Sequence, residues 1–295
     1  MRRKAVLTRG VKRHPLVSRG DRISHLLQVR DGDAMAGFID AAHSGMPTNF
    51  AGDLFPIYST VNVKKNTGLK GSGYATEFRG FSGPALNITA SDVVIENIRF
   101  VYGGSLTSSS LIARPVRCSG DTYSPDALST ATSAAAIVIT GSNVTVRNCW
   151  FDGFDNAIYS TGANTQVKCC YFQGGTGSTK SGVYFAGTHG RVAGCHMESL
   201  AYGVYVAGDK SSVSDNTILS TESGVFVTSD YNRIHGNYVE GNSAGFAMAL
   251  THDAQSNSVT GNVALPPGDG SKGTYFFTTG KGNMYGANIG EVDLE

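Results

Sequence analysis

The chain has 295 residues, of which 40% are hydrophobic and 16% charged, and its formal net charge is +1. Its 38 glycines follow no collagen period and are matched by only 8 prolines, which favours many tight turns over a fibrous or disordered chain. No apolar run approaches the 18 residues of a membrane-spanning helix, and the basic start lacks the apolar stretch of a secretory signal, so we expect neither.

Charge is distributed unevenly along the chain. Residues 1–30 contain nine basic side chains and one acidic one, whereas the remaining residues contain 15 basic and 22 acidic side chains. A basic arm on an acidic body is typical of a segment that docks onto an acidic partner, although a solvated, frayed terminus is the alternative. We interpret residues 1–32 as an attachment arm, with these side chains as the contacts: Arg2, Arg3, Lys4, Arg9, Lys12 and Arg13.

The segment after the arm begins a second unit, residues 33–295. Residues 33–42 (DAMAGFIDAA) predict a short amphipathic helix that caps the first coil of this unit. Residues 58–63, 68–73 and 88–100 are interpreted as the first coils. The Ser/Thr-rich residues 101–135 then interrupt the pattern and predict a projecting insertion, with smaller expansions at 173–181 and 265–272.

A six-residue pattern, here called the hexad, recurs through the second half of the chain. It reads branched aliphatic, two variable residues, Asn or Cys, one variable residue and an apolar residue. Successive copies begin 21, 25, 21, 21 and 25 residues apart, and they occupy residues 146–151, 167–172, 192–197, 213–218, 234–239 and 259–264. Repeats of this length, built from short β-runs and turn residues, predict an all-β solenoid.

Stacked coils should place equivalent residues in files along the axis. The fourth hexad position predicts a single file of asparagines, Asn216, Asn237 and Asn262, below three cysteines interpreted as buried free thiols, Cys149, Cys170 and Cys195. The sixth position predicts an apolar core that tapers from Phe151 to Ala264. A second short run after each hexad predicts five inward side chains: Ile158, Val183, Val204, Val225 and Phe246.

These motifs resemble the right-handed parallel β-helix superfamily of pectate-lyase-like proteins and bacteriophage tailspikes. The resemblance covers roughly residues 33–290 and rests on the helix at 38–42, the strand at 59–63, the turn at 68–73 and the hexad coils. It implies a single-stranded right-handed parallel β-helix with a short capping helix. It implies no activity, because this fold carries lyases, hydrolases, epimerases and inert fibres. The lyase signatures of the family are not visible, and residues 251–253 lack the proline of an alginate epimerase motif.

Carboxylates beside the hexads are the candidate catalytic residues. Asp152 and Glu198 follow hexads two coils apart, and Asp155 lies in the adjoining turn. Two coils correspond to about 9.6 Å at a strand spacing of about 4.8 Å. That value is close to the upper limit of the roughly 6.5–9.5 Å between the carboxylates of an inverting glycosidase. The alternative is that these carboxylates are solvated or bind turn amides. Four side chains of the insertion can reach the same groove: Arg114, Arg117, Asp121 and Asp126.

Two files of outward aromatic side chains are the candidate binding or interface residues. One file follows the hexads and contains Trp150, Tyr171 and Tyr238, with His196 between them. The other lies on the second run and contains Tyr159, Tyr184, Tyr205 and Phe226. Such apolar stripes can stack sugar rings or become buried in an oligomer, and we favour the oligomer. The seven histidines show no metal-ligand spacing, and no cofactor motif is present, so no metal and no cofactor are predicted.

The resemblance and the basic arm together predict a bacteriophage virion structural protein. We expect a tailspike or tail-fibre appendage, a homotrimer made in the host cytoplasm, attached to other virion or tail proteins through residues 1–32 and contacting a host-surface polysaccharide. A signal peptide is not needed for a protein released by lysis. The alternative is a polysaccharide lyase or glycoside hydrolase that acts on capsule or cell-wall glycan.

Overall fold

A computed structural model describes residues 39, 45–57, 59–80, 83–103, 135–174, 181–265, 274–278, 280–290 and 292–294. Through these residues the chain winds as a stack of coils, and each complete coil contributes strands to three faces. All pairings between the coils are parallel. The fold is therefore the predicted all-β parallel solenoid.

Faces 1, 2 and 3 are named in the order in which a coil visits them. The strands of face 1 are Pro47–Asn49, Gly68–Lys70, Val94–Glu96, Thr145–Arg147, Gln166–Lys168, Arg191–Ala193, Ser212–Ser214, Arg233–His235, Ser258–Thr260 and Met284–Gly286. Those of face 2 are Leu54–Pro56, Glu77–Gly80, Arg99–Tyr102, Trp150–Asp152, Tyr171–Gln173, His196–Glu198 and Val263–Leu265. Face 3 contains Val61–Val63, Leu86–Ile88, Ala135–Ile139, Asn156–Ser160, Ser181–Phe185, Tyr202–Val206, Thr274–Thr278 and Val292–Leu294. Two long strands, Thr217–Val227 and Tyr238–Leu250, run through faces 2 and 3, and a short 3-10 turn spans Gly73–Ala75.

The hexad forms the corner between face 1 and face 2. Its first position is a buried strand residue of face 1, and its fifth and sixth positions begin a strand of face 2. The third position has a positive φ, for example 52° at Asn148 and 57° at Asp215, and this left-handed residue turns the chain sharply. The repeat length observed in the sequence is therefore the length of one coil.

The interior of the solenoid is a set of apolar files. The sixth hexad position pairs from Phe100 through Phe151 and Phe172 towards Ala264, and every member is buried. The ring centroids of Phe151 and Phe172 lie 4.9 Å apart in a stacked arrangement. Smaller side chains occupy this position towards the C-terminus, which confirms the predicted tapering core.

The predicted asparagine file is present and continues one coil further than expected. Asn216 Nδ2 donates to Asn237 Oδ1 at 2.9 Å, and Asn237 Nδ2 donates to Asn262 Oδ1 at 2.9 Å. Asn262 Nδ2 donates in turn to Asn288 Oδ1 at 3.0 Å. On the same line the thiols of Cys149, Cys170 and Cys195 are free and buried, as predicted.

A second asparagine file, which was not predicted from the sequence, lies at the corner between face 3 and face 1. The backbone amide of Asn232 donates to Asn257 Oδ1 at 2.7 Å, and that of Asn257 donates to Asn283 Oδ1 at 2.9 Å. Each of these residues stands two positions before the centre of a face 1 strand, so the hexad alignment contained the signal. Two of the three corners of the coil are thus closed by buried or partly buried amide side chains.

The prediction that Phe246 points into the core is wrong. The inward file runs from Ile158 through Val183, Val204 and Val225 to Met248, which is 1% exposed, whereas Phe246 pairs with Ser223 and is half-buried. The register shifts between Ile218 and Ser223, because the strand that contains Phe246 carries two more residues before its inward position.

The outward aromatic file of face 3 is in register, but two of its members are not exposed. Tyr205 and Phe226 are 3% and 6% exposed. Tyr202 packs edge-on against both rings, with centroids 5.5 and 5.4 Å away. Tyr159 and Tyr184 are half-buried and stacked at 5.0 Å. The predicted four-ring surface stripe is therefore reduced to two rings.

Three expectations fall on residues outside the described ranges. They are the basic arm of residues 1–32, the capping helix of residues 33–42 apart from the buried Ile39, and the interior of the insertion. The chain leaves face 2 after Tyr102 and returns to face 3 at Ala135, so both ends of the insertion lie at the corner between these faces.

Candidate functional site

A row of rings lies on the outer surface of face 2. Trp150, Tyr171 and His196 occupy the fifth hexad position of three successive coils and pair directly with one another. The Tyr171 and His196 rings are stacked with centroids 5.1 Å apart, and Tyr74 from the 3-10 turn meets Trp150 edge-on at 5.7 Å. Because inward and outward positions alternate along a strand, the buried sixth position forces the fifth to face outward.

Charged side chains continue this row towards the N-terminal coils. Arg99 precedes Trp150 in the same file and lies between two carboxylates. Its guanidinium donates to Asp152 Oδ2 at 2.6 and 2.7 Å and to Glu77 Oε2 at 3.2 Å. It also lies 4.3 Å from the centre of the Tyr74 ring, a cation–π contact. One arginine thus fixes two carboxylates and a ring.

Glu198 organises the other end of the row. The Tyr171 hydroxyl lies 2.7 Å from Gln173 Oε1 and 3.0 Å from Glu198 Oε2, and His196 Nε2 lies 3.5 Å from the same Glu198 oxygen. Burial and the neighbouring Glu198 carboxylate raise the pKa of Tyr171, so its hydroxyl stays protonated as a donor. These contacts fix the orientation of the Tyr171 and His196 rings on the surface of face 2.

Asp152 and Glu198 stand two coils apart in one file, with Gln173 between them. The strand spacing gives a separation of about 9.6 Å along the axis. Both carboxylates already accept hydrogen bonds, Asp152 from Arg99 and Glu198 from Tyr171. The third candidate, Asp155, is 3% exposed and lies near Tyr102, where burial and the Asp155 charge raise the pKa of the tyrosine. Asp155 is therefore buried and does not share the exposed surface of Asp152 and Glu198.

The row ends on the C-terminal side with Tyr238, which is 37% exposed and is separated from His196 by Thr217.

Three residues of this surface were not predicted as site residues: Tyr74, Glu77 and Arg99. Arg99 occupies the fifth position of the first hexad, residues 95–100, so its place could have been read from the alignment. Glu77 and Tyr74 belong to a coil that has no hexad, and the sequence carries no comparable signal for them.

The described part of the chain brings no group of three His, Cys, Asp or Glu side chains together to hold a metal ion. Within the same residues, no helix has the length and apolar character needed to cross a membrane.

The sequence matches the family described as "Right handed beta helix region" over residues 134–288, just over half of the chain. It matches none of the curated proteins with which it was compared.

Several solved structures share the fold, among them an alginate lyase and two phage proteins. An alginate lyase from Paenibacillus sp. str. FPU-7 is 11% identical with a TM-score of 0.66, covering 92% of this chain and 97% of its own. A double mutant of the tailspike protein of E. coli bacteriophage HK620, in complex with a pentasaccharide, is 14% identical with a TM-score of 0.61. ORF18 of Geobacillus virus E2 is 15% identical with a TM-score of 0.57.

Coverage differs between these structures. The tailspike and ORF18 alignments cover 86% and 94% of this chain but only 57% and 60% of the phage chains. At such identities the similarity establishes the fold and leaves the activity open.

Proposed function

We propose that this chain, which belongs to the right-handed β-helix family, is a bacteriophage virion appendage that binds a host-surface polysaccharide along face 2. The observation that carries the proposal is the row of rings in register, Trp150, Tyr171 and His196, bordered by hydrogen-bonding charged groups. Two of the structural neighbours are phage proteins, and one of these is a tailspike in complex with a pentasaccharide, which supports this class of function.

The surface has the chemistry that a sugar chain requires. Flat rings offer apolar area to the C–H faces of sugars, and the guanidinium of Arg99, the carboxylates of Asp152 and Glu198 and the amide of Gln173 offer donors and acceptors for hydroxyl groups. Because parallel strands and hydrogen bonds already hold these groups, little side-chain conformational freedom is lost when a ligand binds. A glycan lying along the axis would contact successive coils in the same way.

A glycan array of bacterial surface polysaccharides tests this proposal. We expect the full chain to bind at least one glycan, and Tyr171→Ala to weaken that binding by about tenfold, the loss of roughly 1.4 kcal/mol. Tyr231→Ala is the control, because Tyr231 is exposed but lies at the corner between face 3 and face 1. Equal losses in the two variants would contradict a site on face 2.

A polysaccharide-degrading enzyme is the second candidate, and the separation of Asp152 and Glu198 is the observation that favours it. In that case the purified chain would release reducing ends or unsaturated uronates from capsule or lipopolysaccharide. Asp152→Asn and Glu198→Gln would each remove that activity while leaving glycan binding measurable. Turnover that persists in both variants would exclude these residues as the catalytic pair.

The attachment arm is a proposal from charge alone. We infer that residues 1–32 bind other virion or tail proteins, through the cluster Arg2, Arg3, Lys4, Arg9, Lys12 and Arg13. Deletion of residues 1–30 should leave the solenoid folded, by circular dichroism, and abolish incorporation into particles. Normal incorporation of the truncated chain would contradict this role.

The homotrimer is likewise a proposal. The stacked pair Tyr159 and Tyr184 remains half-buried on face 3 and can pack against a neighbouring copy. We expect Tyr159→Ser to lower the mass measured by light scattering, and an unchanged mass would argue against this contact. Tyr205 is unsuitable for the test because it is buried within the chain itself.

A further inference from the structure

Opposite charges occur on faces 1 and 2 of the same coils. The coils are numbered by their face 1 strands in chain order, so that coil 4 begins with Thr145–Arg147. In coils 4, 6 and 8, face 1 presents an arginine and face 2 presents a carboxylate, and these pairs are Arg147 and Asp152, Arg191 and Glu198, and Arg233 and Glu240. In coils 7 and 9 the strand segments of both faces are uncharged. The charge thus alternates along the two faces in step and with opposite sign.

The other charged side chains of this region do not oppose that alternation. Coil 5 carries Lys168 on face 1, and its face 2 strand carries Gln173, whose amide oxygen can accept a hydrogen bond. Asp215 is exposed and directly follows the face 1 strand of coil 7, a coil in which face 2 carries Leu219 and no carboxylate. A surface with the face 2 pattern, set against face 1 with the coils level, therefore meets no like charge at Asp215.

Within one chain, only some of these charges are paired. In coil 4 both are satisfied, since Arg147 binds Glu96 and Asp152 binds Arg99. In coils 6 and 8, the described residues place no lysine, arginine, aspartate or glutamate of opposite sign at ion-pair distance from these four side chains: Arg191, Glu198, Arg233 and Glu240. The alternation in coils 6 and 8 therefore has no ion-pairing role in an isolated chain.

We propose that face 1 of one copy of this chain binds face 2 of a second copy, side by side and with equal coils level. Rotation about an axis parallel to the solenoid places equal coils at one height and brings these two different faces together. Each arginine of coils 4, 6 and 8 then lies opposite the carboxylate of the same coil in the neighbour. A shift by one coil, about 4.8 Å, would lose these pairs. Another protein would have to reproduce this alternation, whereas a second copy has it by symmetry.

The uncharged side chains of the two faces are also suited to each other. Face 2 offers the large rings of Trp150, Tyr171 and Tyr238, whereas face 1 offers small side chains between its cations, such as Ser212 and Ser258. Buried aromatic anchors supply much of the binding energy of protein interfaces. Exposed ion pairs contribute little energy but fix the register and exclude wrong arrangements. The rings therefore account for the strength of this contact, and the charges account for its alignment.

This inference does not rest on the proposed function, because the contact needs no glycan. A neighbouring copy would cover the row of rings, so a glycan and a second copy compete for face 2. A glycan that binds there should therefore dissociate the copies. The contact also differs from the one proposed for Tyr159 and Tyr184, which uses face 3.

Exchange of charge between the faces tests the contact, with the mass of the full chain measured by light scattering over a series of concentrations without glycan. We expect the unmodified chain to associate, and less strongly at high salt because salt screens exposed charges. Arg191→Glu with Arg233→Glu sets carboxylates against carboxylates and should weaken association by roughly tenfold or more. The four-residue variant that adds Glu198→Lys and Glu240→Lys has opposite charges again, with the faces exchanged, and should recover association to within about threefold.

A control separates the effect of position from that of net charge. It is Lys210→Glu with Lys281→Glu, exposed residues outside the face 1 strands whose substitution changes the net charge equally. This variant should associate as the unmodified chain does. Circular dichroism checks the fold of each variant. If glutamate on face 1 unfolds the chain, Arg191→Gln with Arg233→Gln takes its place and should also weaken association.

Several results would overturn the inference. They are a single-chain mass at every concentration, an unchanged mass after charge reversal on face 1, no recovery in the four-residue variant, or equal weakening in the control. A mass that falls only in Tyr159→Ser would instead assign the association to face 3. None of these results bears on glycan binding, which the emission of Trp150, the single tryptophan, reports in dilute solution. Failure of one proposal therefore leaves the other intact.

Discussion

The third position of the hexad shows how a single residue sets the path of the chain. The backbone is left-handed there whether the residue is Asn148, Cys169 or Gly194, with φ of 52°, 51° and 64°. Asparagine and glycine tolerate this conformation, whereas a cysteine in it costs roughly 1 kcal/mol. The coil geometry therefore dominates over the preference of the residue.

Substitution at two neighbouring coils should change stability in opposite directions. Cys169 is exposed, so Cys169→Asn relieves the strained backbone without loss of packing and should stabilise the protein by a few tenths to about 1 kcal/mol. Gly194→Ala introduces the same strain and should destabilise it by about 1 kcal/mol. Urea unfolding midpoints measure both, and a shift of the same sign in the two variants would contradict the explanation.

Glu96 gives the fold a pH dependence that can be measured. Burial opposes its ionisation, but Lys70 at 3.1 Å and Arg147 outweigh burial and lower the pKa of Glu96 from its ordinary value of 4.5. A lowered folded-state pKa stabilises the protein above the unfolded value, and that stabilisation is lost as the pH falls through the folded pKa.

We expect the unmodified chain to be more stable than Glu96→Gln by a constant amount above about pH 6, and the difference to shrink below about pH 4.5. Unfolding in urea at several pH values would show this. A difference that grows towards acid would mean that the ion pairs do not stabilise the charged carboxylate.

For single residues, the sequence predicted where a side chain lies along the solenoid better than it predicted which side chains surround it. Asn216, Asn237 and Asn262 form the expected file because the repeat alone places them one coil apart. The exposure of Tyr205 was not predictable in the same way. Its burial depends on Tyr202, which stands where earlier coils have Asn156 and Ser181, so the repeat contained no sign of a covering ring.

Among the elements, the corners of the coil carry the strongest constraints. At the corner formed by the hexads, each buried asparagine satisfies polar groups of the neighbouring coils. Asn237 Nδ2 donates to the Val213 carbonyl at 2.9 Å, and Asn237 Oδ1 accepts from the Asn216 backbone amide at 3.1 Å. Removal of one amide therefore leaves buried partners without hydrogen bonds.

Asn237→Ala should destabilise the solenoid by about 3 kcal/mol, because several buried polar groups lose their partners together. The matched control is Asn87→Ala, which removes one partly buried bond to Asn62 and should cost about 1 kcal/mol or less. Denaturant unfolding compares the two. Similar costs for both variants would mean that the asparagine file is not a principal source of stability.

Glycines at the corner after face 3 allow the coils to approach closely. A Cβ on Gly162 would lie 1.9 Å from the Gly141 carbonyl oxygen, and one on Gly187 would lie 2.2 Å from that of Gly162. Gly162→Ala should therefore destabilise the fold by about 3 kcal/mol or prevent folding. Gly286→Ala is the control, since its nearest atom is 3.8 Å away, and it should change stability by less than about 1 kcal/mol.

Element boundaries followed the hexads wherever the period was regular. The failure at Phe246 occurred where the strand Tyr238–Leu250 runs through the corner and the pairing register shifts. An alignment of the repeats shows how often inward side chains recur along the chain. It does not show a register shift that adds two residues to one strand. Irregular corners are therefore the places where the sequence alone predicts the wrong inward residue.

In the whole molecule, the faces of one solenoid differ in chemistry although they share one repeat. The core positions repeat in apolar character because each side chain faces the interior, and this repetition revealed the fold. The outer positions are free of that restriction, so face 2 collects rings and carboxylates while face 1 collects cations. The grouping of Tyr74, Glu77 and Arg99 with Trp150 needed coordinates, because it joins coils of different sequence.

Fluorescence of Trp150 tests the role of face 2 most directly, because it is the single tryptophan and lies within the row of rings. Purified bacterial O-antigen and capsule oligosaccharides would be titrated into the full chain and into Tyr171→Ala. We predict that at least one oligosaccharide shifts the emission saturably and protects Trp150 from acrylamide, with about tenfold weaker binding in the variant. An oligosaccharide that binds by calorimetry yet leaves Trp150 unchanged, or a panel without any binder, would contradict glycan recognition on this face.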